Sequence, residues 1–278
     1  MVIRAPAKLN LCLYLGPARA DGLHELCSLF CPLVLSDRIE VGSDDVDQVI
    51  CDGVDGDNLA ARALTALRER GWRSPPLRVV IEKRIPVAAG LGGGSADAAA
   101  VLRLAQGELR SLEALAGSIG ADVTSQLDPR FALVTGAGER VEGLPVPGEF
   151  AAVLIPSDRG LSTADVYAEA DRLGLGRSAA ELEDLAVRLR EGALAGVSPL
   201  SYPELLRNDL QEAALALRPE IAAPLEALRE VGAEVTLVTG SGPTAVGLFE
   251  HIVAADRAAG ALPPRYANAI VTAPARSA

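Results

Sequence analysis

Aromatic residues are scarce in this chain, with four Phe, four Tyr and one Trp among 278 residues. Since 49% of the residues are hydrophobic, the core has to be built from Ala, Leu and Val. Histidine is scarcer still, limited to His24 and His251. The four cysteines, Cys12, Cys27, Cys31 and Cys51, form no Cys-x-x-Cys pair, and no metal-ligand spacing is present. They read as buried free thiols in a reducing compartment. No apolar run reaches the ~20 residues that span a bilayer. The segment Met1-Val2-Ile3-Arg4-Ala5-Pro6 reads as a strand rather than a signal peptide, so a cytoplasmic protein is expected. Basic residues are outnumbered, 26 against 37 acidic, for a net charge of −11. That balance excludes broad binding to nucleic acid or to anionic membranes, though not to a small anion in a locally positive pocket. Repeats and low-complexity tracts are absent.

What is abundant is glycine, and it is concentrated. In Pro86-Val87-Ala88-Ala89-Gly90-Leu91-Gly92-Gly93-Gly94-Ser95, four glycines fall within five positions. A strand pattern precedes them, with Leu77, Val79 and Ile81 on one face of residues 77–85. An alanine-rich helix over residues 96–106 is predicted to follow. Glycine lets backbone approach a ligand closely, and a helix opening there offers unpaired N–H groups to an anion. Strand, glycine loop and helix outline a phosphate cradle; a structural glycine turn gives the same pattern. The loop lacks the Gly-Lys-Ser/Thr ending of a Walker loop. Ser95 stands where a dinucleotide fingerprint has its third glycine, and no acidic residue ends a second strand about 20 residues on, which excludes an NAD-binding dehydrogenase.

Residues 2–15 are predicted to form a strand in which Lys8 and Asn10 share one face. They are candidates for a polar site, or mark an edge strand with a wet face. Residues 33–41 predict a second strand and residues 49–51 a short one. Asp57 or Asn58 is placed to cap a helix over residues 59–70, ended by Gly71. Ser111 is placed to cap a helix over residues 111–119, and Asp122 follows it as a turn residue, a cap or something more. Residues 131–134 and 139–141 predict strands. Leu144-Pro145-Val146-Pro147-Gly148 is the linker candidate, dividing domains at 1–148 and 149–278. Beyond it come a buried strand at 151–156, a Ser162-capped helix carrying Tyr167, and a Ser178/Glu181 capping box for a helix to 191. Helices over 203–217 and 219–231 follow. Strands at 234–238 and 245–249 flank Thr239-Gly240-Ser241-Gly242-Pro243-Thr244, and a helix over 251–259 and a strand at 268–273 close the chain. Both halves mix α and β, and each carries a glycine turn.

Three stretches together resemble the motifs of the GHMP kinase superfamily, in its order: Ala5-Pro6-Ala7-Lys8-Leu9-Asn10, the loop from Pro86 into Ala96-Asp97-Ala98-Ala99, and residues 239–244. Ala20-Asp21-Gly22-Leu23-His24-Glu25-Leu26, Lys83-Arg84-Ile85-Pro86 and Gly120-Ala121-Asp122-Val123 are similar to one of its branches. That branch phosphorylates the 2-hydroxyl of 4-diphosphocytidyl-2-C-methyl-D-erythritol in the non-mevalonate route to isoprenoid precursors. The resemblance covers nearly the whole chain. It implies an α+β, two-lobed fold: an N-terminal lobe like domain 2 of ribosomal protein S5, an α/β-sandwich C-terminal lobe, and an active site in the cleft. It implies ATP and Mg²⁺, a small-molecule substrate carrying cytidine diphosphate, no nucleic-acid or membrane partner, and a monomer or weak homodimer. By position it makes Lys8 and Asp122 catalytic. Asn10, His24, Tyr167, Gly240, Ser241 and Gly242 become substrate-binding. Asn58 and Pro86-Val87-Ala88-Ala89-Gly90-Leu91-Gly92-Gly93-Gly94-Ser95 become ATP-binding, with Ser95 a candidate to reach Mg²⁺ or to cap the helix. The chain departs from the pattern at Leu23, where tyrosine is frequent, at Ala96, where a second serine is frequent, and at Thr124-Ser125-Gln126, where proline and aromatics are usual. A homoserine or mevalonate kinase is the rival enzyme, disfavoured by the Asp-Gly-Leu-His stretch and Tyr167. A non-catalytic binding module is disfavoured because Lys8 and Asp122 are both present.

Overall fold

The computed structural model describes residues 1–54 and 58–275. The elements run β1 (Val2–Ala18), β2 (His24–Ser43), β3 (Gln48–Cys51), α1 (Leu59–Glu69), β4 (Leu77–Glu82), α2 (Gly93–Leu102), α3 (Leu112–Ile119), α4 (Ala121–Gln126), β5 (Ala132–Gly136), β6 (Arg140–Gly143) and β7 (Ala151–Ile155). They continue through α5 (Thr163–Leu173), α6 (Ala179–Leu194), α7 (Leu210–Leu217), α8 (Ala222–Glu230), β8 (Val235–Val238), β9 (Ala245–Phe249), α9 (Ile252–Ala261) and β10 (Ile270–Thr272). Two compact units emerge. The first gathers residues 1–7, 35–87 and 92–129, and the second gathers 8–34, 88–91 and 130 onward.

In the first unit, Arg38 to Ser43 of β2 pair antiparallel with β4, which pairs in parallel with β3. Val79 and Ile81 turn inward, as their alternation predicts. Asn58 caps α1 by accepting the Ala60 N–H at 2.9 Å, while Asp57, the other cap candidate, lies outside the described residues. Ala60, Ala63, Leu64 and Leu67 form the buried stripe of α1, and Gly71 stops it. Helix α2 starts at Gly93, three residues earlier than predicted, and ends at Leu102 in a 3-10 turn. Every residue from Ala96 to Leu102 is buried, the mark of a helix enclosed on all sides. Ser111 stands at the head of α3 in a left-handed conformation and its side chain makes no capping bond, contrary to expectation. Residues 120–123, read as a possible turn, open helix α4 instead.

In the second unit, Leu26 to Phe30 of β2 pair with β5, and β5 with β6. Strand β2 thus reaches back to His24, well before the predicted start. A separate antiparallel sheet has the order β10-β7-β9-β8. All of β7 and β9 is buried. Leu225, Leu228, Ala255 and Ala258 of the helices form one core with Val153, Val238 and Phe249 of this sheet. Ser162 caps α5, and the Ser178/Glu181 capping box is present on α6, which runs three residues past its predicted end to Leu194. The predicted helix over 203–217 is broken. A 3-10 turn spans Pro203–Leu205 and α7 begins only at Leu210, because Asn208 leaves the helical path to bond elsewhere. Gly148, in the linker candidate, is packed: a Cβ there would come 2.5 Å from the Ser198 backbone nitrogen.

Candidate active site

Lys8 and Asn10 project from the same face of β1, as their spacing predicts, and both are buried, so the wet-edge reading fails. Lys8 Nζ donates to Asn10 Oδ1 at 2.6 Å, and Asn10 Nδ2 donates to Ser28 Oγ at 2.8 Å. The Ser28 hydroxyl in turn donates a hydrogen bond to the Cys12 carbonyl. This relay fixes which end of the Asn10 amide faces the ammonium. Lys8 also sits 4.7 Å above the Phe30 ring, a cation–π contact inside the protein.

Two distant segments of the second unit close on this strand. The Lys8 N–H donates to the Leu91 carbonyl at 2.9 Å, and the Asn10 N–H donates to Thr239 Oγ1 at 3.1 Å. Gly90 has φ +74, and a Cβ there would come 2.4 Å from the Thr239 carbonyl oxygen and 2.9 Å from that of Gly242. Only glycine fits this crossing of two backbones. A Cβ on Gly240 would come 3.5 Å from Lys8 Nζ and 3.4 Å from Asn10 Oδ1. Asn208 holds the turn from behind, donating to the carbonyls of Val238 at 2.6 Å and Gly240 at 2.7 Å. Ser241 bonds Thr163 Oγ1 at 2.9 Å. All three motifs, near residues 8, 90 and 240, therefore meet within one unit.

The rest of the glycine stretch lies in the first unit. Gly92 occupies the N-cap of α2 with φ 68 and offers no side chain, so the first intrahelical bond is Ala96 N–H to the Gly92 carbonyl. The N–H groups of Gly93, Gly94 and Ser95 precede that bond, as helix-start donors do. Ser95 is helical and is not the cap. Asn58, spent on capping α1, and Asp122, in the first turn of α4, belong to this unit too.

At the head of β2 in the second unit, His24 is buried and its Nε2 lies 2.8 Å from Asp171 Oδ1. The Tyr167 ring is 5.3 Å from the His24 ring, tilted by 46°. Tyr167 is half-buried against Leu13, Leu15 and Val166, while Leu23 is 50% exposed.

The family models for the GHMP kinases N terminal domain and the GHMP kinases C terminal region match residues 58–127 and 189–268. The chain is 40% identical to the 4-diphosphocytidyl-2-C-methyl-D-erythritol kinase of Streptomyces avermitilis, over 94% of this chain and 92% of that one. It is 41% identical to the Streptomyces coelicolor kinase of that name, with the same coverage. The chain belongs to this kinase family. A crystal structure of a 4-(cytidine 5'-diphospho)-2C-methyl-D-erythritol kinase superposes with TM-score 0.81 at 35% identity, covering 99% of this chain and 100% of that one. A homoserine kinase from Cytophaga hutchinsonii, TM-score 0.71 at 19% identity, covers 99% of this chain and 93% of its own and shares the fold alone. The α+β, two-domain GHMP kinase fold is therefore established.

Within this kinase the motif reading missed several residues that shape the site. Ser28 and Thr239 orient Asn10; nothing local in the sequence marks Ser28, and Thr239 stands out only as the start of the 239–244 motif. Asn208 left no signal either, since it sits inside an otherwise helical pattern. Asp37 did leave one: it is a carboxylate inside the predicted strand 33–41, and it is fully buried. The departures at Thr124-Ser125-Gln126 prove to be a stretch of α4, where Ser125 Oγ turns back to donate to the Asp122 carbonyl at 2.9 Å. Its hydroxyl is thus consumed within the helix rather than presented outward.

Proposed function

We propose that this chain transfers the terminal phosphoryl group of ATP to the 2-hydroxyl of 4-diphosphocytidyl-2-C-methyl-D-erythritol. The observation that carries the reading is the corner in which Lys8, Asn10, Leu91 and Thr239 are joined by hydrogen bonds. Phosphoryl transfer asks mainly for positioning and for neutralising charge. A lysine held in one place by an amide and an aromatic face meets the second need with little rearrangement.

In this reading Lys8 stabilises the alkoxide that develops on the acceptor hydroxyl, and Asp122 receives or orients its proton. Asn10 and residues 240–242 line the acceptor side. The peptide N–H groups of residues 90–95, preceded by Pro86 to Ala89, cradle the triphosphate, with Asn58 near the adenine. The fit is supported by the uncapped start of α2, whose early N–H groups suit phosphate oxygens. Among the described residues no cluster of three His, Cys, Asp or Glu side chains could hold a metal. Ser95 would be the candidate side chain for a Mg²⁺ ion bound with ATP, which would supply charge neutralisation on the phosphates. His24 and Tyr167 form the cytidine end, the ring nitrogens of His24 reading the base edge and Tyr167 stacking on its face. Functional halves of 1–148 and 149–278 accompany this proposal, supported by the gap between the two matched family regions. A cytoplasmic setting fits the finding that, among the described residues, no helix is long and apolar enough to cross a membrane.

The test is an ADP-release assay with 4-diphosphocytidyl-2-C-methyl-D-erythritol, homoserine and mevalonate offered in turn. The cytidine substrate should turn over with kcat/KM far above the others. Equal or better turnover of homoserine or mevalonate would sink the assignment.

A further inference from the structure

Asp37 is fully buried in β2, and its two oxygens do different work. Oδ1 accepts the backbone N–H groups of Arg84 at 2.6 Å and Ile85 at 2.8 Å. Oδ2 accepts from Lys83 Nζ, which also donates to Asp97 Oδ2 at 2.8 Å. Asp97 belongs to α2. One carboxylate therefore ties residues 83, 84 and 85 to β2 and, through Lys83, ties the glycine helix to the same point. All of these residues lie in the first unit.

The knot sits directly under the start of α2. A Cβ on Gly93 would come 3.0 Å from Ile85 Cγ2 and 3.2 Å from Lys83 Nζ. Ile85 is followed at once by Pro86 and Val87, the lead-in to the glycine loop. Both ends of the first unit's share of that loop are thus referred to Asp37.

The two carboxylates are not equivalent. A buried charge is tolerated only when its lone pairs are filled. Asp37 receives three donors. Among the described residues Asp97 Oδ1 has no hydrogen-bond partner, and burial pushes the Asp97 carboxyl up to about 7 against the pull of Lys83. Burial also works to lower Lys83, but its two carboxylate neighbours outweigh that and raise it above its ordinary range. Asp37 is the fixed post of the group, and Asp97 depends on Lys83.

We propose that Asp37 is a positioning residue for nucleotide binding: by holding the 83–85 segment and, through Lys83, helix α2, it sets the peptide N–H groups that receive phosphate. This rests on the reading of residues 90–95 as the triphosphate loop. A residue that only stabilises the fold would have the same burial but would leave ATP affinity alone.

Two variants separate these roles. Asp37→Asn keeps an oxygen for the two backbone N–H groups and loses the charge facing Lys83. Asp37→Ala loses every bond. ATP dissociation constants are measured by calorimetry without acceptor, alongside melting temperature and the Michaelis constants for ATP and for the cytidine substrate. The expected rise in ATP Kd is about fivefold for Asn and about thirtyfold for Ala, with the KM for the cytidine substrate within about twofold of wild type. The part-rescue by Asn is the signature of an anchor acting through backbone bonds. A folded Asn variant that melts lower yet binds ATP within about twofold of wild type overturns the proposal. If Ala does not fold, Asn alone decides. Failure of the kinase reading looks different: wild-type protein itself would then bind no ATP.

Discussion

The Lys8 corner and the His24 edge belong to the same unit and are built in opposite ways. At Lys8, remote segments are locked by backbone and side-chain bonds, and the polar groups donate hydrogen bonds in series from Lys8 through Asn10 and Ser28 to the Cys12 carbonyl. At His24, one ring is held by one bond to Asp171, a carboxylate whose side chain is 58% exposed. Its aromatic neighbour Tyr167 is half-buried, and the adjacent Leu23 is 50% exposed. A group that meets developing charge gains by being fixed in advance, because nothing then reorganises at the moment of reaction. A group that grips the far end of a substrate gains by being reachable. His24 is itself buried, and the exposed Asp171 is the partner that the proposed base would have to replace at Nε2.

The comparison is broken most severely at the reacting end. Asp122→Asn keeps the shape of the side chain and removes its charge. Turnover should fall by about two to four orders of magnitude with substrate KM little changed. A turnover within about threefold of wild type would remove Asp122 from the chemistry.

Gly90→Ala attacks the same end through the backbone. The new methyl would sit 2.4 Å from the Thr239 carbonyl oxygen at a φ of +74. Left-handed backbone costs a non-glycine residue about 1–2 kcal/mol before the clash is counted. The expected result is a lower melting temperature and a loss of about tenfold or more in kcat/KM, because a shift of about 1 Å in the loop misplaces the groups it holds. Cytidine diphosphate alone, titrated by calorimetry, should bind as it does to wild type. Weakened cytidine binding would show that the two ends are not independent.

At the His24 edge the effects are expected in KM alone. Tyr167→Ala should raise KM for the cytidine substrate by roughly 5- to 150-fold, the equivalent of ~1–3 kcal/mol of stacking, and leave the KM for ATP in place. His24→Ala should do likewise and also relax discrimination against a uridine analogue, because its ring nitrogens donate and accept across the base edge. Lower melting temperatures with unchanged substrate preference would make both residues purely structural.

The smallest effect sharpens the contrast instead of breaking it. Leu23→Tyr would supply a second ring beside His24, and KM for the cytidine substrate should drop by about fivefold or less. No change in KM would mean that residue 23 does not face the base.

The sequence was most informative where structure is local. The Asn58 cap, the stripe Ala60, Ala63, Leu64 and Leu67, and the capping box at Ser178 are readable because each depends on residues three or four apart. Lys8 and Asn10 were legible as a pair from strand spacing, yet their burial was not, since that comes from Leu91 and Thr239 far along the chain. The start of α2 was misjudged because Gly93 and Gly94 are poor helix formers on their own; Ile85 beneath and Leu59 beside them hold the turn. The break before α7 was invisible because the carbonyls that capture Asn208 lie about thirty residues later. The role of Asp37 needed coordinates for the same reason: its donors are 46 to 48 positions away.

The cysteines have a practical consequence. Cys12, Cys27 and Cys31 are buried in β1 and β2, and burial raises all three thiols, Cys27 to about 12 and the other two further. Burial also raises the thiol of Cys51, half-buried in β3. Thiolate is the reactive form, so a thiol-specific label finds almost none of it on the folded chain. Labelling must then wait for the local opening that uncovers each sulfur. Because Cys51 lies in the first unit and the other three in the second, the order in which tagged peptides accumulate compares exposure at β3 with exposure at the buried cysteines of β1 and β2 without any engineered probe.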